Sequence, residues 1–247
     1  EGLEEISDVR RGGTDVYQQT LDGLAACRKH RLVIGVCTSV CKSNLNDLAT
    51  EKFANDIAAL GAHYLWYYIY RPVGPKPTPE LALDAAEITA LRRFIVDIRR
   101  TAPLMVVDAY WNDKGEAMCA AAVGMANHIS PDGYVEPCPP LQFAKDNIGD
   151  GTGLFDLFNN SEFLKSFRTM CTDTTRGCII MDNPDVLSGF IKQQDAIDSS
   201  GRDTFVAELD SMCACCSHHQ PGEEIPESSW AYRFAKKNWF FGFGAYG

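Results

Sequence analysis

Long apolar runs are missing from this chain of 247 residues. No stretch approaches the roughly 18 consecutive apolar residues that a membrane-spanning helix needs. No basic and apolar signal segment opens the chain either, so a cytoplasmic location without a membrane partner is expected. Positive charge is scarce: 23 Lys and Arg against 33 Asp and Glu leave a net charge of −10. Such an acidic surface argues against a nucleic-acid backbone or an anionic membrane as partner. Histidine is limited to 5 residues, and there is no HExxH, no phosphate-cradling Gly loop and no Ser/His/Asp arrangement.

Cysteine is what the chain holds instead. Ten cysteines with no export signal point to reduced thiols able to ligate metal rather than to a disulfide scaffold. Hydrophobic content of 45% and charged content of 23% are those of a globular protein with a core. The chain opens on EGLEEISD without Met, as a segment cut from a longer protein would.

The first 110 residues alternate helix and strand. Gly12-Gly13 breaks the chain, and a helix is expected over 14–30 with Val16, Tyr17, Leu21, Leu24 and Cys27 at helical spacing. Leu32 to Cys37 is a short apolar run suited to a parallel strand buried on both faces. A helix over 47–60 carries Leu48, Phe53, Ile57 and Leu60 on one side and stops at Gly61. Tyr64 to Tyr70 is an aromatic strand, 84–100 a helix, and Leu104 to Ala109 a third buried strand. Three helix–strand units in succession predict a parallel α/β sheet or part of a β/α barrel.

After Trp111 the stretch 112–158 is rich in Gly, Pro and Asn, which places a boundary near 111. Helices are expected over 161–169, 184–193 and 202–212, and the aromatic tail from Ser228 should dock on the body. Cys119 and Cys138 flank a hairpin whose turn is Pro131-Asp132-Gly133, entered by His128-Ile129 and left by Tyr134-Val135. A hairpin closes its ends, so the two thiols become neighbours, suiting a disulfide or two corners of a metal site. His128 reads as a surface residue, and Cys27 and Cys37 as core residues. Cys213 and Cys216 form a single C-x2-C beside Cys215, His218 and His219, which reads as a polar loop rather than a zinc site. Arg10 and Arg11 fall in a Gly-flanked loop, where a guanidinium could hold a carboxylate. Asn44 and Arg71 follow expected strand ends, where α/β proteins place ligands.

The run from Cys119 through Gly133 to Cys138, the wording DGYVEPC and the later CTDTTRGC resemble the cluster-binding hairpin of SPASM and twitch domains. Those domains are C-terminal extensions of radical SAM enzymes. DVRRGG, GVCTSVCKSN and YLWYYIYRPVG are similar to a loop and the fifth and sixth strands of that family's barrel, and Glu1-Gly2-Leu3 to the end of its fourth. The resemblance implies an α/β fold: the C-terminal half of a partial (β/α)6 barrel over 1–111, then a small SPASM/twitch-like domain with a hairpin and helices over 112–200. A C-terminal helix and aromatic tail would fill 201–247. It implies Cys119, Cys138, Cys171 and Cys178 as ligands of an auxiliary [4Fe-4S] cluster. It also implies the carboxylate of S-adenosylmethionine, in the intact protein, as the partner of Arg10 or Arg11, beside Asn44 and Arg71 as the cofactor-binding candidates at the strand ends. An unidentified substrate, a small molecule or a peptide, and an electron donor would be the partners.

The family's C-x3-C-x2-C, which holds the cluster that cleaves S-adenosylmethionine, is absent. Cys37 and Cys41 have the first spacing, but position 44 is Asn. The implied function is the C-terminal portion of a radical SAM enzyme, enzymatic only in the intact parent. Two other readings stand beside it. One is a stand-alone iron–sulfur electron-transfer or partner-binding subunit; the other is a β/α hydrolase with structural zinc, since four thiolates also suit tetrahedral zinc. The half-barrel reading further expects the outer edge of the 32–37 strand to be unpaired.

Overall fold

The computed structural model describes residues 1–238. Trp239, Phe240, Phe241, Phe243 and Tyr246, part of the tail expected to dock, lie outside the described residues.

Helices α1 (Glu4–Arg11) and α2 (Val16–Lys29) precede the first strand, β1 (Gly35–Val40). Then come α3 (Leu45–Leu48), α4 (Glu51–Ala59), β2 (Tyr64–Ile69), α5 (Ala85–Ile98) and β3 (Met105–Val107). The strands form one parallel sheet in the order β1-β2-β3, with Cys37 opposite Trp66 and Trp66 opposite Val107. Alternation along the strands sends Thr38, Val40, Leu65, Tyr67, Ile69 and Val106 to one face, where they are buried. Leu48 and Phe53 of the α3–α4 pair and Leu91 and Ile95 of α5 cover that face. The opposite face presents Cys37, Tyr64, Trp66, Tyr68 and Met105, all exposed or half-buried. Among the described residues, β1 pairs only with β2, so its outer edge is open.

Several expectations are corrected here. The first strand starts three residues late, and Leu32 and Val33 are 54% and 80% exposed. Leu32 still belongs to the end of α2, since its N–H donates to the Cys27 carbonyl at 3.1 Å. No residue of α2 is fully buried; only Leu24 and Cys27 pack against the core. The helix over 47–60 is two helices, because the Thr50 hydroxyl accepts from Phe53 N–H and starts α4 afresh. Arg10 and Arg11 end helix α1, which closes at Gly12 in the left-handed conformation (φ 66°), rather than lying in a loop.

Beyond Trp111, the hairpin β4 (His128–Ile129) and β5 (Val135–Glu136) forms as expected, with Gly133 at φ +83° closing its turn. Strand β6 (Phe143–Ala144) follows, then α6 (Leu154–Asn160), α7 (Glu162–Thr174), α8 (Ile179–Asp182) and α9 (Pro184–Gln194). The described chain closes with β7 (Ile197–Asp198), which pairs with β6, α10 (Phe205–Asp210) and α11 (Trp230–Asn238). Helix α6 begins inside the stretch expected to be irregular, because Leu157 anchors it in the core. Phenylalanines dominate this second core: Phe143 lies 5.7 to 6.0 Å from Phe163, Phe167 and Phe205. Among the described residues no helix is long and apolar enough to cross a membrane.

A buried charge network ties α11 to the sheet. Arg92 and Arg99 of α5 meet Asp108, just past β3, at 3.3 and 2.5 Å. Both also pair with Glu227, and Lys236 joins Asp108 at 3.0 Å and Glu227 at 3.1 Å. Tyr232 donates its hydroxyl region to the same junction: its oxygen accepts Val106 N–H at 2.9 Å, and Arg99 sits 4.6 Å from its ring.

Candidate functional site

The period-two alternation of β2 places Trp66 and Tyr68 on the uncovered face of the sheet, where their rings stack at 5.1 Å. Arg71 follows the end of β2 and Tyr110 the end of β3. The Tyr110 hydroxyl accepts Ile69 N–H at 2.9 Å, and the Arg71 guanidinium lies 5.7 Å from the Tyr110 ring. These groups form one wall of a cavity of about 530 Å³ at the C-terminal ends of the strands. The cysteine-rich half supplies the facing wall: Cys119, Asn127, Cys138, Leu141, Cys178 and Ile180.

Local structure fixes each thiol. Cys119 heads a turn in which the Ala121 and Ala122 amides donate to its sulfur. Cys138 opens a tight turn over Pro139-Pro140, with Leu141 N–H donating to its carbonyl at 2.8 Å. Cys178 caps α8, its carbonyl accepting from Met181 and Asp182 at 2.9 Å each. Cys171 sits on α7, fully buried behind the cavity wall.

The four cysteines proposed as ligands are electrostatic neighbours. Burial and then the charges of Cys119, Cys178 and Cys138 push the Cys171 thiol up. Burial likewise raises Cys138, and Cys119 and Cys178 add to the rise while Arg71 opposes it. Cys119 is pushed up to about 11, chiefly by burial and then by Cys178. Cys119, Cys138 and Cys171 therefore rest as neutral thiols without a metal, and ligation would displace their protons. Cys138, Cys171 and Cys178 carry free thiols, so the hairpin disulfide is not formed. Among the described residues, no three His, Cys, Asp or Glu side chains close on a single ion-sized point. The thiols line a chamber instead.

The other nominated residues have definite places. Arg10 donates to Glu1 and to the Cys41 sulfur at 2.7 Å, and stacks over Tyr70 at 5.2 Å. The Arg11 side chain is 61% exposed, with Glu1 3.9 Å away. Asn44 is buried and committed to backbone: it donates to Glu1 and Ser39 carbonyls and accepts Cys41 N–H at 2.8 Å. Arg71 alone of the four reaches the cysteine site, lining the same cavity as Cys119, Cys138 and Cys178. Cys213 and Cys216 are exposed. Cys215 is half-buried, its N–H held by the Met181 carbonyl at 2.8 Å.

Sequence reasoning missed His218. Its ring donates through Nε2 to the Met118 carbonyl at 2.8 Å and packs 4.8 Å from Tyr110. Burial pushes it down to about 3, so it lines the cavity as a neutral group. The neighbouring cysteines and histidine drew attention to the stretch, but nothing in it distinguished the inward residue. The alternation in YLWYYIY did carry a signal for Trp66 and Tyr68 as a shared face.

No protein-family model matches the chain, and no curated protein matches it. Among solved structures it is similar to the crystal structure of Streptococcus suis SuiB, with a TM-score of 0.51 and 12% identity. The likeness covers 68% of this chain and 44% of SuiB. At that identity it concerns the mixed α/β fold alone.

Proposed function

We propose that this chain is the C-terminal portion of a radical SAM-type enzyme and carries its auxiliary iron–sulfur site. The observation that carries the reading is that Cys119, Cys138 and Cys178 line one chamber at the strand ends with Cys171 as their buried electrostatic neighbour, and that two backbone amides are directed at the Cys119 sulfur. Similarity in fold to SuiB, a radical SAM-type protein, supports it. So do the open edge of β1 and the uncovered aromatic face, which suit a larger barrel.

The donor set fits the group. Four thiolates are the usual ligands of an iron–sulfur cluster, and their sulfurs stand roughly 6 to 7 Å apart around a cubane. A [4Fe-4S] cluster held there would supply one-electron transfer or an iron that anchors substrate. The protein's own part is to give up thiol protons, to exclude water with Leu141, Ile180 and Met118, and to tune charge at the sulfurs. Trp66, Tyr68 and Tyr110 offer an aromatic wall for the substrate, a small molecule or a peptide. In the intact protein Arg10 or Arg11 would hold the carboxylate of S-adenosylmethionine, and the exposed guanidinium of Arg11 suits that role.

Anaerobic reconstitution with iron and sulfide, followed by metal and sulfide analysis, tests the reading. About four irons and four sulfides per chain are expected. Cys138→Ala and Cys178→Ala should lose most of them. Zinc without iron, or full iron content in both variants, would overturn it. The chain alone should form no 5′-deoxyadenosine from S-adenosylmethionine.

A further inference from the structure

Buried and half-buried guanidiniums of the described residues mostly have carboxylate partners; Arg168, which donates to the Phe158 carbonyl, and Arg71 do not. Arg10 pairs with Glu1, and Arg92 and Arg99 pair with Asp108 and Glu227. Arg71 is half-buried against the cavity, and among the described residues no Asp or Glu forms an ion pair with it. It is also the only permanently charged side chain among the described residues lining that cavity. An unpaired charge against low-dielectric walls is costly, and such groups are ordinarily matched by a counter-charge. The groups facing Arg71 across the cavity include the thiols of Cys119, Cys138 and Cys178, and its charge acts on those of Cys138 and Cys119. Those thiols become anions when they ligate metal.

The guanidinium cannot swing away freely. Its plane lies over the Tyr110 ring, and Tyr110 is itself held by Ile69 N–H through its hydroxyl. Its orientation toward the cavity is therefore set by the end of the sheet, before any ligand arrives.

We propose that Arg71 is the positioning residue of the iron–sulfur site: held beside the Tyr110 ring, it faces Cys119, Cys138 and Cys178 across one cavity and offsets the thiolate charge, which raises the reduction potential of the centre. This rests on the cluster reading above. Reduction brings in one electron from an external donor, with no bond made or broken, so the charge of the site falls by one. A fixed cation favours the more negative state. Removing it lowers the potential.

The test is a dye-mediated redox titration followed by electron paramagnetic resonance on the reconstituted wild type, Arg71→Gln and Arg71→Lys. Arg71→Gln should keep its iron and shift the reduction equilibrium at least tenfold, about 59 mV lower for one electron. Arg71→Lys, which keeps the charge, should stay within half of that shift. Loss of iron in Arg71→Gln with retention in Arg71→Lys also supports the assignment, since charge is then needed for assembly. An unchanged potential in Arg71→Gln, an equal fall in Arg71→Lys, or loss of iron from both variants would overturn it while leaving the cluster reading intact. A wild-type chain that takes up no iron would overturn both.

Discussion

Lys236 reaches back 128 residues to Asp108, its ammonium 3.0 Å from Oδ1 in a site closed to water. Among the described residues three cations and two carboxylates share that site, an excess of one positive charge. The excess makes the two ends of this pair unequal. Asp108→Asn leaves three cations against one carboxylate and should destabilise the fold by about 3–5 kcal/mol. Lys236→Met leaves two against two and should cost less than half as much. Urea denaturation of both variants gives the order directly, and a greater loss in Lys236→Met would refute the charge argument.

Acid should act on His218 before it acts on Asp108. Burial holds His218 down to about 3 from its ordinary 6.5, so between those values the unfolded chain binds a proton that the folded chain refuses. Stability from this group is fully present above about pH 6.5 and is lost as pH falls toward 3, by about 1.4 kcal/mol per pH unit. Lys236, Arg99 and Arg92 outweigh the effect of burial on Asp108 and hold it well below the usual carboxylate range, so its loss begins only below about pH 4. His218→Gln should retain about 2 kcal/mol more than wild type on going from pH 6 to 4.5. Urea midpoints at the two pH values check this.

Cys171 and Cys215 offer a contrast within the cysteine site. Cys171 responds to the charges of Cys119, Cys178 and Cys138, whereas Cys215 responds to Cys178 and Cys216. Cys171→Ala should lose most of the reconstituted iron and Cys215→Ala should keep nearly all of it. Iron analysis of the two proteins, prepared in parallel, decides whether the fourth ligand is the one on α7.

Gly177, in the turn before Cys178, has no room for a side chain. A Cβ there would lie 2.1 Å from Ser217 Oγ and 2.3 Å from Asp182 Oδ2. Asp182 already accepts from Thr175 and Ser217 hydroxyls at 2.7 and 3.0 Å, so these atoms cannot easily retreat. Gly177→Ala should destabilise the protein by about 1–3 kcal/mol through overpacking. It should also displace Cys178 and weaken iron retention. An unchanged urea midpoint would contradict this.

Local chemistry was legible in the sequence wherever one residue type settled the matter. Asp84 and Glu87 start α5 through a reciprocal capping box, and Pro131-Asp132-Gly133 turns the hairpin. Strand ends were harder: Leu32 and Val33 look like strand, but the last turn of α2 claims their backbone. Asn44 and Arg71 follow strand ends as expected, yet only packing decided their partners, and Arg10 lies on α1 instead of in a loop. Asn44 is consumed by the turn after β1, while Arg71 faces thiols far along the chain. Such pairings are long-range, and no local pattern encodes them. The inward turn of His218 in a stretch that reads as polar loop is of the same kind.

The charge network has a consequence for how the molecule comes into being. Arg92, Arg99 and Asp108 leave the ribosome together, but Glu227 follows 135 residues after Arg92 and Lys236 128 residues after Asp108. Contacts between such distant partners form slowly, since a long loop must close first. Until then α5 carries two guanidiniums with one carboxylate between them, and its packing on β3 is incomplete. The phenylalanine core of the second half takes little from the first, among the described residues Val73 at its margin, and can condense during that wait. The half synthesised first is thus the half that matures last, and its open strand edge is exposed to stray pairing for the whole interval.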